Sequence, residues 1–191
     1  MIPYLQTISN VILKVKKQVD KWCPFKEHDV ATAYIFSLDY KKILLVKKRF
    51  SGRLMPPGGH VTGNEPYLQT VLRETSEESN IDTALLKTKK FGDGYYSLSD
   101  NCLIFPPQQD EEFIVKERIS SHHYHMDHIY CFQYPVIFDS YGIYNMEIAR
   151  VMWVKVEEIN KSNFYPNVFY TIKYFYSKGL HEQKNKAQEL D

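Results

Sequence analysis

The chain has 191 residues, 43% hydrophobic and 25% charged, a balance ordinary for a globular protein with a sizeable core. Its 24 basic and 23 acidic residues leave a formal net charge of +1, so bulk electrostatics give no reason to expect nucleic acid or a membrane as partner. No apolar run approaches the roughly 20 residues that span a bilayer, the N-terminus has no apolar signal core, and three cysteines (Cys23, Cys102 and Cys131) suit a reducing cytoplasm better than a disulfide framework.

From Tyr4 to about Trp22, Leu5, Ile8, Val11, Ile12, Val15 and Val19 recur every three or four residues. That spacing predicts an amphipathic helix with Lys14, Lys16, Lys17 and Lys21 on its outer side. Such a helix suits a membrane surface, but docking on its own domain is the commoner use, and Pro24 closes it. From Asp29 the period changes. Val30 to Phe36 is rich in β-formers, and Ile43 to Val46 reads as its hairpin partner beyond Asp39-Tyr40. Lys47, Lys48 and Arg49, a patch able to hold a phosphate chain, lead on to Pro56-Pro57-Gly58-Gly59. This loop cannot be helical, and its glycines leave backbone carbonyls free to turn toward a bound ion.

The strongest signal lies between Leu54 and Ile81. Arg73, Glu74, Glu77 and Glu78 fall within six residues, and carboxylates at i, i+3 and i+4 lie about 300° and 400° of helical rotation from the first. The three therefore share one face, where they repel by a few tenths of a kcal/mol per pair unless a cation offsets them; Arg73, one turn before Glu77, supplies that cation. Glu65-Pro66 is expected to start this helix, and Leu68, Val71 and Leu72 to anchor its far face to a sheet. Taken alone, a run such as Arg73 to Ser79 is most often a solvated face; the loop ahead of it and its spacing weigh against that. Carboxylate and carbonyl oxygens, with no Cys-rich or His-only cluster nearby, select hard divalent cations such as Mg²⁺ or Mn²⁺.

After Ile81, Phe91-Gly92-Asp93-Gly94 and Pro106-Pro107 mark loops, and Phe113-Ile114-Val115 begins a strand. In His122 to Phe132, strand alternation puts His123, His125, Asp127 and Ile129 on one face, with His122, Tyr124, Met126, His128 and Tyr130 on the other. His-x-His-x-Asp on one face is a candidate substrate contact, although strand histidines are more often packed and hydrogen-bonded. A zinc site lacks a third nitrogen or sulfur ligand at suitable spacing. Glu147 precedes a further strand, Ile148 to Val154, and a short acidic helix start at Glu157-Glu158-Ile159. A helix from about Asn167 to Lys178 covers the sheet, and the polar tail after Gly179 is expected to fray.

The box region closely resembles the Nudix box, G-x5-E-x7-R-E-U-x-E-E-x-G-U with U aliphatic. Here Gly59 is followed after five residues by Glu65, and after seven more by Arg73-Glu74-Thr75-Ser76-Glu77-Glu78-Ser79-Asn80-Ile81. Thr75 replaces the usual aliphatic and Asn80 the usual glycine; Asn accepts a left-handed backbone and can end the helix as glycine would. The resemblance, to MutT-like Nudix hydrolases, covers residues 28 to 160 in outline. It implies an α+β fold, a mixed β-sheet held between helices, with an N-terminal helical extension at 1–27, the domain at 28–180 and a polar tail at 181–191.

By the same resemblance, Glu77 and Glu78 are metal ligands, Glu74 binds metal or activates water, and the Gly59 carbonyl is a further ligand. Arg73 orients the carboxylates, Glu65 is an outer ligand or helix-end group, and the general base need not lie in the box. Arg49, His123, His125, Asp127 and Glu147 are the candidate substrate contacts; some Nudix proteins with an N-terminal extension also carry an H-x-H-x-D strand. The implied function is a metal-dependent hydrolase that cleaves the pyrophosphate bond of a nucleoside diphosphate linked to another moiety. It would act on a small molecule, as a cytoplasmic monomer or homodimer. Thr75 and Asn80 leave open a second reading, a catalytically inactive nucleotide-binding module. The isopentenyl diphosphate isomerase branch of the fold needs a loop cysteine, and Met55 to His60 has none.

Overall fold

The computed structural model describes residues 26–91, 102–120, 123–142 and 146–188. The expected helix at residues 4–22, Pro24, Cys23, His122 and Gly92-Asp93-Gly94 lie outside the described residues. In chain order the described strands are β1 (Lys26–Ser37), β2 (Lys42–Lys48), β3 (Leu54–Met55), β4 (Gly58–His60), β5 (Lys87–Lys89), β6 (Cys102–Phe105), β7 (Phe113–Ser120), β8 (His123–Tyr134), β9 (Ser140–Tyr141) and β10 (Ile148–Lys155). Helix α1 (Tyr67–Ser79) follows β4, and α2 (Pro166–Gln188) ends the described chain.

The sheet is mixed. Its main order is β6-β7-β8-β1-β2-β10-β9, with β3 on β2, β4 on β1 and β5 on β8. β1 and β8 run parallel in unbroken register from Lys26 opposite His123 to Ser37 opposite Tyr134, while the other pairs are antiparallel. Both faces of β1 are buried, so its residues sort by parity rather than by polarity. Ala31, Ala33 and Ile35 join Tyr130 and Phe132 of β8 in one core, closed by Val71 with Leu68 and Leu72 of α1. Tyr34 and Phe36 join Ile129 and Cys131 in the other, closed by Val168, Ile172 and Phe175 of α2. The sheet therefore lies between the two helices, as expected for this α+β fold.

Each helix has an identifiable stop and anchor. Asn80 takes φ 52°, ψ 26° at the end of α1, and its N–H bonds the Ser76 carbonyl, so the asparagine does supply the left-handed cap. Pro66 is the extended residue before α1, which places Glu65 outside the helix rather than in its first turn. α2 does not stop at Lys178: the expectation of a frayed tail fails, and the helix continues to Gln188. Beyond its apolar stripe it is held by polar contacts, Glu182 with Lys89 at 2.7 Å and Gln183 to the Leu38 carbonyl at 2.8 Å. Gly179 lets α2 close on the ring of Tyr40, since a Cβ there would overlap the ring. No described helix is long and apolar enough to cross a membrane.

Candidate active site

The proline-glycine segment becomes β4, which lies antiparallel on β1 with Gly58 opposite Thr32 and His60 opposite Val30. Two close approaches explain its glycines. A Cβ on Gly58 would meet the Ala31 carbonyl oxygen at 2.6 Å, and one on Gly59 would meet both Glu74 carboxylate oxygens at 2.5 Å. β4 is thereby pressed between β1 and the acidic face of α1, and Glu74, Glu77 and Glu78 line a cleft of about 770 Å³.

Arg73 holds that face together. Its Nε and Nη2 donate to Glu65 at 3.1 and 3.0 Å, Nη1 to Glu74 at 2.7 Å, and Nη2 also to the His60 carbonyl at 3.1 Å. The expected i,i+4 partner, Glu77, is reached at 3.4 Å. Hydrogen bonding to Arg73 is the leading cause that lowers the Glu65 carboxyl, and bonding to Glu65 leads in raising Arg73. Glu65 is thus the clamp on Arg73, with Thr70 donating to it as well, and it is not among the cleft-lining residues.

The three remaining carboxylates sit in graded environments. Glu77 is largely exposed, Glu74 mostly covered, and Glu78 only 4% exposed. Burial pushes Glu78 above the usual carboxylate range, against the opposing pull of the Lys48 ammonium that bonds its Oε1. The Gly58 N–H donates to the other oxygen at 3.1 Å. Lys48 was legible only as one residue of a basic patch; β2 delivers it, rather than Arg49, into the cleft. Arg49 lies at the exposed end of β2, where its guanidinium donates to the Ile148 carbonyl at 2.9 Å, and it does not line the cleft.

Among the described residues no group of three or more His, Cys, Asp or Glu side chains converges as a ready metal cage. The chemistry of the box nevertheless fits a hard cation. It offers oxygen donors only, one carboxylate is buried with a single ammonium to offset it, and a glycine admits Glu74 to the backbone of β4.

His125 and Asp127 line the same cleft, on one sheet face as the alternation predicted, and so does Glu147. His123 lies outside the lining and packs in a ring cluster: His28, His60, His123 and His125 have neighbouring centroids 4.8–5.8 Å apart. β1 and β4 thus bring two histidines that local spacing could not reveal. Burial, then His28 and His123, lowers the His60 pKa. His128, on the opposite face, is structural: its ring stacks on Tyr67 and its Nδ1 lies 3.3 Å from Glu111.

Sequence reasoning missed Glu117. It lines the cleft from β7 beside Asp127, and the Asn167 amide at the start of α2 donates to it. Its signal was present, since Phe113, Val115 and Glu117 alternate on one face of the strand, with an acid where an apolar residue is expected. Burial pushes Glu117 up to about 7. Asp127 is raised well above the ordinary carboxylate range, by burial first and by Glu117 second.

The model of the NUDIX domain family matches residues 26–175. Three solved structures of similar fold are a NUDIX-family hydrolase from Clostridium perfringens, a C. elegans Ap4A hydrolase in a binary complex, and the E. coli dihydroneopterin triphosphate pyrophosphohydrolase. They are 16, 19 and 17% identical to this chain, with TM-scores of 0.53, 0.56 and 0.54. The matches cover 78, 78 and 79% of this chain and 96% of each of theirs. No curated protein matches the sequence. With the box residues gathered at one cleft and a family match that spans most of its length, the chain belongs to the NUDIX domain family.

Proposed function

We propose that this protein is a metal-dependent pyrophosphohydrolase that cleaves the phosphoric anhydride of a nucleoside diphosphate linked to another group. The observation that carries this reading is the convergence of Glu74, Glu77 and Glu78 on one cleft, braced by Arg73 and Lys48. Glu74, Glu77, Glu78 and the Gly59 carbonyl would hold Mg²⁺ or Mn²⁺. When bound, the ion supplies charge neutralisation at the phosphates and a more acidic water. Displacement at phosphorus then needs mainly positioning and electrostatic stabilisation. Arg73 fixes the carboxylates, and the Lys48 ammonium opposes the burial that raises Glu78. Arg49 is a rim contact at most in this reading, whereas His125, Asp127 and Glu147 face the substrate.

The inactive-module alternative loses its motive. Thr75 is buried in α1 and Asn80 caps it, and neither lines the cleft. We read residues 28–180 as the body of the catalytic domain, to which the last turns of α2 are tied through Glu182 and Gln183, working in the cytoplasm as a monomer or homodimer. The test is a panel of nucleoside diphosphate derivatives with Mg²⁺ or Mn²⁺, reading released mononucleotide. Glu77→Gln and Glu78→Gln should each lower turnover by about 10²-fold or more while the protein stays folded. Wild-type turnover in both variants would overturn the proposal.

A further inference from the structure

We propose that Asp127 and Glu117 form a subsite that binds the exocyclic amino group of a substrate's nucleobase. This rests on the preceding reading that the substrate is a nucleotide derivative, and it assigns the end of the cleft that the box does not use.

The placement follows from strand register. Asp127 lies opposite Val30 on β1, and Val30 lies opposite His60 on β4. Two strand spacings, about 10 Å, therefore separate Asp127 from the strand that carries Gly59. That is roughly the reach of a nucleoside from its base edge through the ribose to its phosphates. Glu117 lies one strand further out, opposite His125.

The chemistry at that end calls for a donor. Asp127 is 7% exposed; its Oδ2 accepts from the Thr32 hydroxyl at 3.0 Å, but its Oδ1 meets no donor among the described residues although the side chain lines the cleft. A buried acceptor without a donor is costly, and a bound N–H would remove that cost. Val30 and Val168 supply apolar wall beside the aromatic ring of Tyr34, which suits a flat base. Burial raises both carboxyls and Glu117 raises Asp127 further, so a proton held between them lets the pair accept from one group of a ligand and donate to its neighbour. Such a pair matches an amino group with a ring nitrogen beside it.

The experiment compares paired substrates that differ at the amino group, adenine against hypoxanthine and cytosine against uracil nucleoside diphosphate derivatives, by kcat/KM. Binding of AMP against IMP and CMP against UMP is measured in parallel by calorimetry. Wild type should favour the amino-bearing member of at least one pair by about tenfold or more. Asp127→Asn should compress that ratio to under about threefold while the oxo-base substrate is still turned over, and Glu117→Gln provides the same readout if the first variant does not fold. An unchanged ratio in folded variants, an equal loss on all substrates, or no base preference in wild type overturns the subsite. Base-selective binding without turnover of any substrate would sustain the subsite and sink the hydrolase reading alone.

Discussion

Gly59 and Glu74 fit together only because one of them has no side chain: a methyl group on Gly59 would stand 2.5 Å from both carboxylate oxygens of Glu74. Gly59→Ala should therefore push Glu74 away from Arg73 and from the backbone of β4. The clash is with the end of a side chain, so the fold gives way cheaply. Turnover should fall by about 10²-fold with a melting-temperature change of only a few degrees. Gly58→Ala is the contrast, because its Cβ would meet the Ala31 carbonyl and the Thr32 Cα, both backbone. It should lower the melting temperature substantially. Full activity in Gly59→Ala would mean that the position of Glu74 is irrelevant to the chemistry.

Thr75 is the position where the chain departs from the box at no benefit to the site. It is fully buried in α1, and its hydroxyl has no partner among the described residues. Valine has nearly the same shape without the polar atom, so Thr75→Val should stabilise the protein by about 1 kcal/mol. In a domain of this size that raises the melting temperature by about 2–4 °C, with kcat unchanged. A lower melting temperature would show that the hydroxyl is satisfied in solution.

The acidic face of α1 was legible because helical spacing is a local property: Arg73, Glu74, Glu77 and Glu78 meet wherever that segment is helical. The alternation on β8 was legible for the same reason, and it placed His125 and Asp127 correctly. What the chain order hides is pairing between distant strands. Nothing near Lys48 signals that β2 will carry it to Glu78, and only the β1–β8 and β1–β4 registers together bring His28 and His60 to His123 and His125. The run after Gly179 looked frayed because its residues are polar. A helix already docked by Ile172 and Phe175 extends at little further entropic cost, and Glu182 bridges Lys89 and Lys186 on the way, each at 2.7 Å.

pH dependence enters through Glu117. Its carboxyl faces Asp127 and His125 of β8 and the Asn167 amide of α2, and burial holds its pKa at about 7 against an ordinary value of 4.5. A group with a raised folded pKa binds its proton more tightly in the fold. Its contribution to stability is therefore complete below about 4.5 and is lost as pH rises through about 7. Asp127 shifts in the same direction, whereas the lowered pKa of His60 makes acid destabilising, so the melting curve of the wild type alone mixes opposing signs. The comparison with Glu117→Gln isolates the effect, because Gln carries no proton linkage and relieves the repulsion on Asp127. The melting temperature of the variant relative to wild type should rise by at least about 3 °C between pH 5 and pH 8, on the order of 1 kcal/mol. A constant offset across that range would mean that Glu117 titrates as it does in water, and that the carboxyl pair does not share a proton.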